Sequence, residues 1–448
     1  MAKYFGTDGF RGKAGETLNG THAYRIGRFL GCYYRSYGKC ARIAIGKDTR
    51  LSSYCLEYAV AAGITASGAD AYMLHVIPTP GVSFAVRQGE FDCGVMISAS
   101  HNAYCDNGIK LLDGNGEKMD DGTIKLVEQY LDAEQDTLPF ATGHEIGRIV
   151  DFSAGRNRYT GYLISLVTNS FKTLRIGLDC ANGASWMIAP AVFEALGAKV
   201  SVMGADPNGV NINDRCGSTH IEQLCQYVCE QGLDMGFAFD GDADRCLAVD
   251  RHGNVINGDH ILYILASALK EQDALSQNTV AITVMSNLGL RRALDAAHIQ
   301  YDITKVGDRF LWEQMDQHGY SIGAEQSGHV ILSKYATTGD GILTALMLCE
   351  RVLDKKTPLD KLAANVKMLP QLTRNLRVVS KEKVMNNPEI QGLLRRLSDN
   401  ELAQGRILLR QSGTEPVIRV MVEADTQKDC ETYANAVIDR IKELGLNE

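Results

Sequence analysis

The stretch DMGFAFDGDADRCLAVD, residues 234–250, sets two apolar runs on either side of a polar loop, DGDADR. Each run is short and read as a strand, and so brief a connection between strands pairs them antiparallel. Upstream, RIGLD (175–179), WMIAPAVFEALG (186–197), KVSVMG (199–204) and IEQLCQYVCEQG (221–232) alternate strand with helix. Strands joined through helices of about ten residues or more run parallel by right-handed crossovers. The segment is therefore a mixed α/β sheet whose last strand returns as a hairpin.

The same order occurs on both sides of it. The earlier copy reads RIAIG (42–46), a helix near 53–66, DAYMLHV (70–76), a helix near 81–88, DCGVMIS (92–98) and GIKLLD (108–113). The later copy reads VAITVM (280–285), LRRALDAAHI, YDITKV, RFLWEQMDQHG, YSIGAE (320–325) and HVILS (329–333). Ligands of such sheets gather beyond the carboxyl ends of the parallel strands. The loops that fall there are SASHNAYCDN, DGDADR and EQSGH, and they hold most of the concentrated polar chemistry of the chain. After about residue 368 the pattern changes to RNLRVV, GRILLRQS, VIRVMVEA and a long C-terminal helix, a small α+β domain. The expectation is three repeated mixed-sheet α/β/α domains and a smaller C-terminal α+β domain, over 1–150, 151–252, 253–367 and 368–448. A single connection near 365–372 is expected to join the last domain and let it hinge.

Composition narrows the function. With 46 Lys+Arg against 54 Asp+Glu, a net charge of -8 and no basic run, nucleic acid and membrane surfaces are not expected as partners, and a small molecule is. The 12 cysteines form no C-x-x-C pair and no cluster with histidine, which points to reduced thiols in the cytoplasm. No signal peptide or membrane span is read. A homodimer is left open.

Asp240, Asp242 and Asp244 alternate with small residues, so their carboxylates converge and repel unless a cation lies between them. Oxygen ligands of this kind select Mg²⁺ or a similar ion. An EF-hand is excluded because its glycine and glutamate positions are Arg245 and Arg251. Arg245, Lys110 and Arg11 are cations suited to balancing a phosphate. Ser100 lacks the G-x-S-x-G setting of an acyl-transfer nucleophile, and no G-x-x-x-x-G-K-[ST] loop is present for ATP. A divalent metal with several cations fits phosphoryl transfer, with Ser100 itself able to carry the group. In RQSGTEP (410–416), two hydroxyls, a glycine and the nearby Arg410 and Arg419 suit a phosphate.

Taken in order, GTDGFRG (6–12), ISASHNAYCDNGIK (97–110), DCANGA (179–184), PNGVNIN (207–213), FDGDADR (239–245), KVGDRF (305–310), GAEQSGH (323–329), TTGDGI (337–342) and RQSGTEPVIRVMVE (410–423) strongly resemble the α-D-phosphohexomutases over practically the whole chain. The resemblance implies four domains around a central cleft, with Ser100 as a phosphoserine that gives its phosphoryl group to a hexose phosphate and recovers it from the other end. It implies one Mg²⁺ per chain between that phosphate and Asp240, Asp242 and Asp244. It further implies a catalytic set of Ser100, His101, Arg11, Arg245, Lys110 and His329, with Lys110 and His329 as acid/base or positioning groups. Glu325 and Ser327 would contact sugar hydroxyls; Arg410, Ser412, Gly413, Thr414 and Arg419 would clamp the non-reacting phosphate.

GAEQSGH and VGDR are closer to the bacterial glucosamine-phosphate enzymes than to the phosphomannomutase/phosphoglucomutase alternative. That implies interconversion of glucosamine 6-phosphate and glucosamine 1-phosphate for amino-sugar nucleotides and cell-wall precursors, primed by glucosamine or glucose 1,6-bisphosphate. Ala103 stands where the family commonly has proline, and Cys105 where an acidic or aromatic residue is common, so a somewhat more mobile loop is expected.

Overall fold

RIAIGK, GVMI and MGFAF are nearly continuous apolar runs, the mark of strands covered on both faces, and they form the middle of their sheets. A computed structural model describes residues 3–35, 40–402, 405–411 and 417–448. In the first sheet the strands are β1 (Phe5–Gly6), β2 (Gly9–Lys13), β3 (Arg42–Lys47), β4 (Asp70–Val76), β5 (Cys93–Ile97), β6 (Asp106–Leu112) and β7 (Ile149–Asp151), in the order β1-β2-β6-β5-β3-β4-β7. The second holds β8 (Arg175–Asp179), β9 (Lys199–Met203), β10 (Met235–Phe239), β11 (Cys246–Asp250) and β12 (Val255–Ile256), ordered β12-β11-β10-β8-β9. The third holds β13 (Thr279–Thr283), β14 (Gln300–Thr304), β15 (Ile322–Ala324) and β16 (Val330–Leu332), ordered β14-β13-β15-β16.

The repeat is therefore real in topology. In each sheet one strand pairs parallel with the next two in sequence, β3 with β4 and β5, β8 with β9 and β10, β13 with β14 and β15. The following strand then turns back antiparallel, as β6, β11 and β16 do. The hairpin loops lie at the carboxyl ends of β5, β10 and β15. Three additions escaped the sequence pattern, one of them the short β12 beside β11. The glycine-rich N-terminus forms the β1-β2 hairpin on β6, and β7 joins the other edge beside β4.

A fourth sheet, β17 (Gln371–Arg377), β18 (Arg406–Gln411) and β19 (Val417–Glu423), is antiparallel in the order β17-β19-β18. Ile418, Val420 and Val422 alternate along β19 towards one face, where they form a core with Val437 and Ile441 of the helix Gln427–Glu443. This is the expected α+β domain.

By contacts the chain divides into two compact units, one reaching to Met285 and resuming over Ile299–Ala364, the other comprising Ser286–His298 and Asn365–Glu448. The expectation of one connection near 365–372 is thus corrected, because the chain passes between units at 285, 298 and 364. The physical reason is local. Asn287 exchanges two hydrogen bonds with Leu369, each 3.0 Å, and the Leu288 amide donates to Glu423 at 3.1 Å, so the helix Leu288–Ala296 is held by the second unit. Among the described residues, no helix is long and apolar enough to cross a membrane.

Gly183 of DCANGA shows how closely two loops approach, since a Cβ there would stand 2.7 Å from the Gly241 Cα of the aspartate loop. Backbone cannot yield as a flexible side chain can, so Gly183→Ala is expected to lower unfolding free energy by about 1–3 kcal/mol. Urea denaturation checks this, and unchanged stability would mean the loops separate freely.

Candidate active site

Ser100 follows β5, is fully buried, and has φ 51°, a left-handed conformation uncommon outside glycine. Its Oγ donates to Asp240 Oδ2 at 2.5 Å. Asp240, Asp242 and Asp244, between β10 and β11, offer carboxylate oxygens within 4.8 Å of one another, and all are buried. Ala243, with φ 53°, turns the loop so that the three converge. The structure brings the serine and the aspartates together from different sheets.

The cations divide between them. Lys110, on β6 and 3% exposed, donates to Asp242 Oδ2 at 2.7 Å and Asp244 Oδ2 at 3.2 Å. Burial opposes its charge, but Asp242 and Asp244 outweigh that and raise its pKa, so Lys110 keeps its proton at neutral pH. The Arg245 amide donates to Asp240 Oδ1 at 3.2 Å, and its guanidinium lies 3.0 Å from His101 Nδ1. Arginine can only donate, so that nitrogen is an acceptor. Burial, then Arg245 and Arg11, pull the His101 pKa down to about 4, leaving a neutral imidazole 3.3 Å from Ser100 Oγ. Arg11, on β2, pairs with Asp8 and reaches Asn102 Oδ1 at 3.4 Å.

His329 sits behind Asp244. Its Nε2 accepts from the Gly339 amide at 3.0 Å, which puts the ring proton on Nδ1, 3.7 Å from Asp244 Oδ1. Burial works against a charge on His329, but Asp244 outweighs it and raises the pKa; a second proton, entering at Nε2, would cost the Gly339 bond. Glu325 Oε1 accepts from the Gly307 amide at 2.9 Å and Oε2 from Ser327 Oγ at 3.3 Å, so these two belong to one loop and neither hydrogen-bonds the aspartates. Lys110, Asp244 and His329 also line a cavity of about 180 Å³ whose other wall includes Leu112, Trp312 and Ile331.

In the second unit Arg410 and Arg419 face each other across β18 and β19. Burial, then Arg419, lowers the Arg410 pKa, and neither Nε has a hydrogen-bond partner among the described residues. Ser412, Gly413 and Thr414 lie outside the described residues.

Sequence reasoning missed several groups. Thr79 donates its hydroxyl to Asp242 Oδ2 at 2.6 Å and its amide to the Asp242 carbonyl at 3.0 Å. Arg50 in KDTR and Asn213 in PNGVNIN hold the serine loop by its carbonyls, and Asp48 fixes Arg50 by accepting from its Nε. The available signal was position: KDTR ends at the carboxyl end of β3, where the other functional loops gather. Arg50 also takes the Ala103 and Asp106 carbonyls, and the Ala14 amide takes that of Cys105 at 2.9 Å. The loop is tethered at the positions that depart from the family pattern.

The aspartate cluster suits a divalent cation on its own geometry. Among the described residues Asp242 Oδ1 and Asp244 Oδ1 are buried without hydrogen-bond partners, and burial with Asp244 and Asp242 pushes the Asp240 carboxyl up to about 8. Once Asp240 is ionised, Lys110 offsets one of the three carboxylate charges and leaves a deficit of two that a divalent cation would fill.

The chain is similar to known proteins along its whole length. The models of phosphoglucomutase/phosphomannomutase α/β/α domains I, II and III match residues 2–138, 157–253 and 257–368, and that of the C-terminal domain matches 374–440. The chain is 55% identical over 448 residues to a phosphoglucosamine mutase of Lachnospira eligens, and 46% identical over 442 residues to one of Bacillus cereus, with 99% of each chain covered in both cases. Among solved structures, a phosphoglucomutase/phosphomannomutase family protein from Burkholderia thailandensis matches with TM-score 0.83 at 22% identity, covering 100% of this chain and 99% of that one. Aspergillus fumigatus N-acetylphosphoglucosamine mutase in complex with GlcNAc-6P and magnesium matches with TM-score 0.71 at 16% identity, covering 99% and 96%.

A cation must displace the proton that Asp240 holds below about pH 8, so binding tightens as pH rises towards that value. Mg²⁺ is expected to raise the unfolding temperature more at pH 8 than at pH 5.5, and Asp242→Asn to shrink that rise. Differential scanning fluorimetry with and without chelator checks it; an unfolding temperature blind to Mg²⁺ at both pH values would make the aspartates purely structural.

Proposed function

We propose a mechanism for this chain, which belongs to the phosphoglucomutase/phosphomannomutase family and interconverts glucosamine 6-phosphate and glucosamine 1-phosphate: Ser100 is the phosphoryl relay. The observation that carries it is the buried Ser100 Oγ, 2.5 Å from Asp240 within a carboxylate cluster suited to a cation and flanked by Lys110, Arg245 and Arg11. A phosphoryl group in flight needs charge neutralisation and alignment more than it needs acid or base.

Phosphorylated Ser100 places its phosphorus where a sugar hydroxyl can attack in line. The P–Oγ bond breaks as the new P–O bond forms and the hydroxyl's proton ends on Ser100 Oγ, giving a sugar 1,6-bisphosphate and free Ser100, which then accepts the phosphoryl group from the other end as its own proton passes to the sugar oxygen released. Asp240, Asp242 and Asp244 would hold one Mg²⁺ per chain beside Ser100, and the ion would supply charge neutralisation at the transferring group. Lys110 keeps its charge and positions Asp242 and Asp244, while Arg245 and Arg11 add cationic charge beside the serine. His101 is the neutral base nearest Ser100 Oγ, and His329, with Nδ1 3.7 Å from Asp244 Oδ1, gives that carboxylate electrostatic support. Glu325 and Ser327 hold sugar hydroxyls. Arg410 and Arg419, with Ser412, Gly413 and Thr414, take the non-reacting phosphate; two adjacent guanidiniums with unpartnered Nε atoms suit an anion. Twelve free cysteines suit the reducing cytoplasm.

Ser100→Ala is expected to fold and to lose mutase activity by several orders of magnitude, since no neighbouring group replaces the covalent carrier. Intact-protein mass spectrometry should find the phosphate on Ser100 in active enzyme, and near wild-type turnover by the alanine variant would exclude the relay. Arg419→Ala should raise KM for sugar phosphates by about tenfold or more with kcat less affected; steady-state kinetics decide, and an unchanged KM would remove Arg419 from the clamp. Glucose and mannose phosphates are expected to be slower in kcat/KM by at least about tenfold, and equal values would favour the phosphomannomutase alternative.

A further inference from the structure

We infer that Arg50 and Asn213 are positioning residues of the phosphoryl relay, a pair of donors that holds the Ser100 backbone in its left-handed turn. The inference rests on Ser100 being the relay. Nothing in the conformation of an isolated serine favours φ 51°, so the surrounding structure must impose it.

Both polar groups of the Ser100 backbone are anchored. Its amide donates to Ser98 Oγ at 2.9 Å, and that hydroxyl donates to Asp48 Oδ2 at 2.7 Å. Its carbonyl accepts from Arg50 Nη2 at 3.0 Å and Asn213 Nδ2 at 2.8 Å. The same two donors hold the Asn102 carbonyl, at 2.8 and 3.0 Å respectively. Arg50 is itself fixed, with no exposed surface and with Nε donating to Asp48 Oδ2 at 2.8 Å. Asp48 therefore organises both ends of the serine peptide, one through Ser98 and one through Arg50.

Asn213 brings the second sheet into the clamp. It too is left-handed, at φ 58°, and buried, with its amide donating to Ala181 O at 2.9 Å. Its Oδ1 is buried without a partner among the described residues, so the amide group is oriented for what Nδ2 does to the serine loop, at the expense of its own oxygen. Gly241 of the aspartate loop lies against the same carbonyl: a Cβ there would stand 2.5 Å from Ser100 O and 3.0 Å from Asn213 Nδ2. The clamp thus sets the spacing between the serine and the aspartates.

A relay needs this more than a single-use nucleophile does. Between the two transfers Ser100 Oγ is free, and it must still lie in line when the second phosphoryl group arrives. A misplacement of about 1 Å can cost on the order of a hundredfold in rate. Substrate binding through other groups is not affected, so the loss falls on kcat.

Asn213→Gly is the informative variant, because glycine accepts the left-handed backbone and only the donor is lost. Asn213→Asp is its isosteric partner, presenting oxygen where the carbonyls need N–H. With wild-type enzyme labelled at Ser100, both variants are expected to transfer the label to glucosamine 6-phosphate at least about tenfold more slowly in a single turnover. KM and the Mg²⁺ concentration for half-maximal activity should stay within about twofold, with circular dichroism unchanged. Wild-type transfer rates in Asn213→Gly, or losses in kcat matched by equal changes in KM and in the folded fraction, would overturn the positioning role. Failure of wild-type Ser100 to take any label would overturn the relay itself, a separate outcome.

Discussion

Three carboxylates within 4.8 Å of one another, cut off from water, would repel strongly if left to themselves, and the first unit is organised around holding them. Lys110 from β6 neutralises part of the charge, Arg245 brings a backbone donor to Asp240, and Ser100 gives Asp240 its hydroxyl. These groups come from hairpins of two different sheets, so the cluster is also what fastens those hairpins together. The remaining deficit would suit a divalent cation, and the same deficit is what a phosphoryl group passing Ser100 would need filled.

The backbone around the cluster is correspondingly forced. Ser100, Ala181, Asn182, Asn213 and Ala243 all adopt left-handed φ values near 50–60°, which side chains other than glycine rarely take. Each such residue costs on the order of 1–3 kcal/mol and persists only where its surroundings over-determine it. Here they do, since the Asn182 carbonyl accepts from Thr49 Oγ1, the Asn213 amide donates to Ala181, and Arg50 and Asn213 share the Ser100 and Asn102 carbonyls. Conformational strain of this kind fixes a reacting oxygen in advance of the reaction.

Much of this was legible because it is local. Continuous apolar runs announced β3, β5 and β10, and short polar loops between strands announced the three hairpins, so Ser100, the aspartates and Glu325 could be placed at equivalent points. Side-chain-to-carbonyl bonds across the chain were not legible. Arg50 and Asn213 reach Ser100 over 50 and 113 residues, and neither residue type marks such a contact by itself. The helix Leu288–Ala296 read as part of the third repeat because periodicity shows which face is apolar, not which core it joins; the Asn287 and Glu423 hydrogen bonds decide that. β1 and β2 were hidden by their brevity and their glycines.

The proposed relay turns on one covalent event at Ser100, and a chase follows it directly. Enzyme carrying ³²P on Ser100 is mixed with unlabelled glucosamine 6-phosphate and quenched on the millisecond scale. A relay predicts that the label leaves Ser100 into glucosamine 1,6-bisphosphate and then appears in glucosamine monophosphate as unlabelled phosphate replaces it on the enzyme. Label released only as inorganic phosphate, or product formed while the label stays on Ser100, would contradict it.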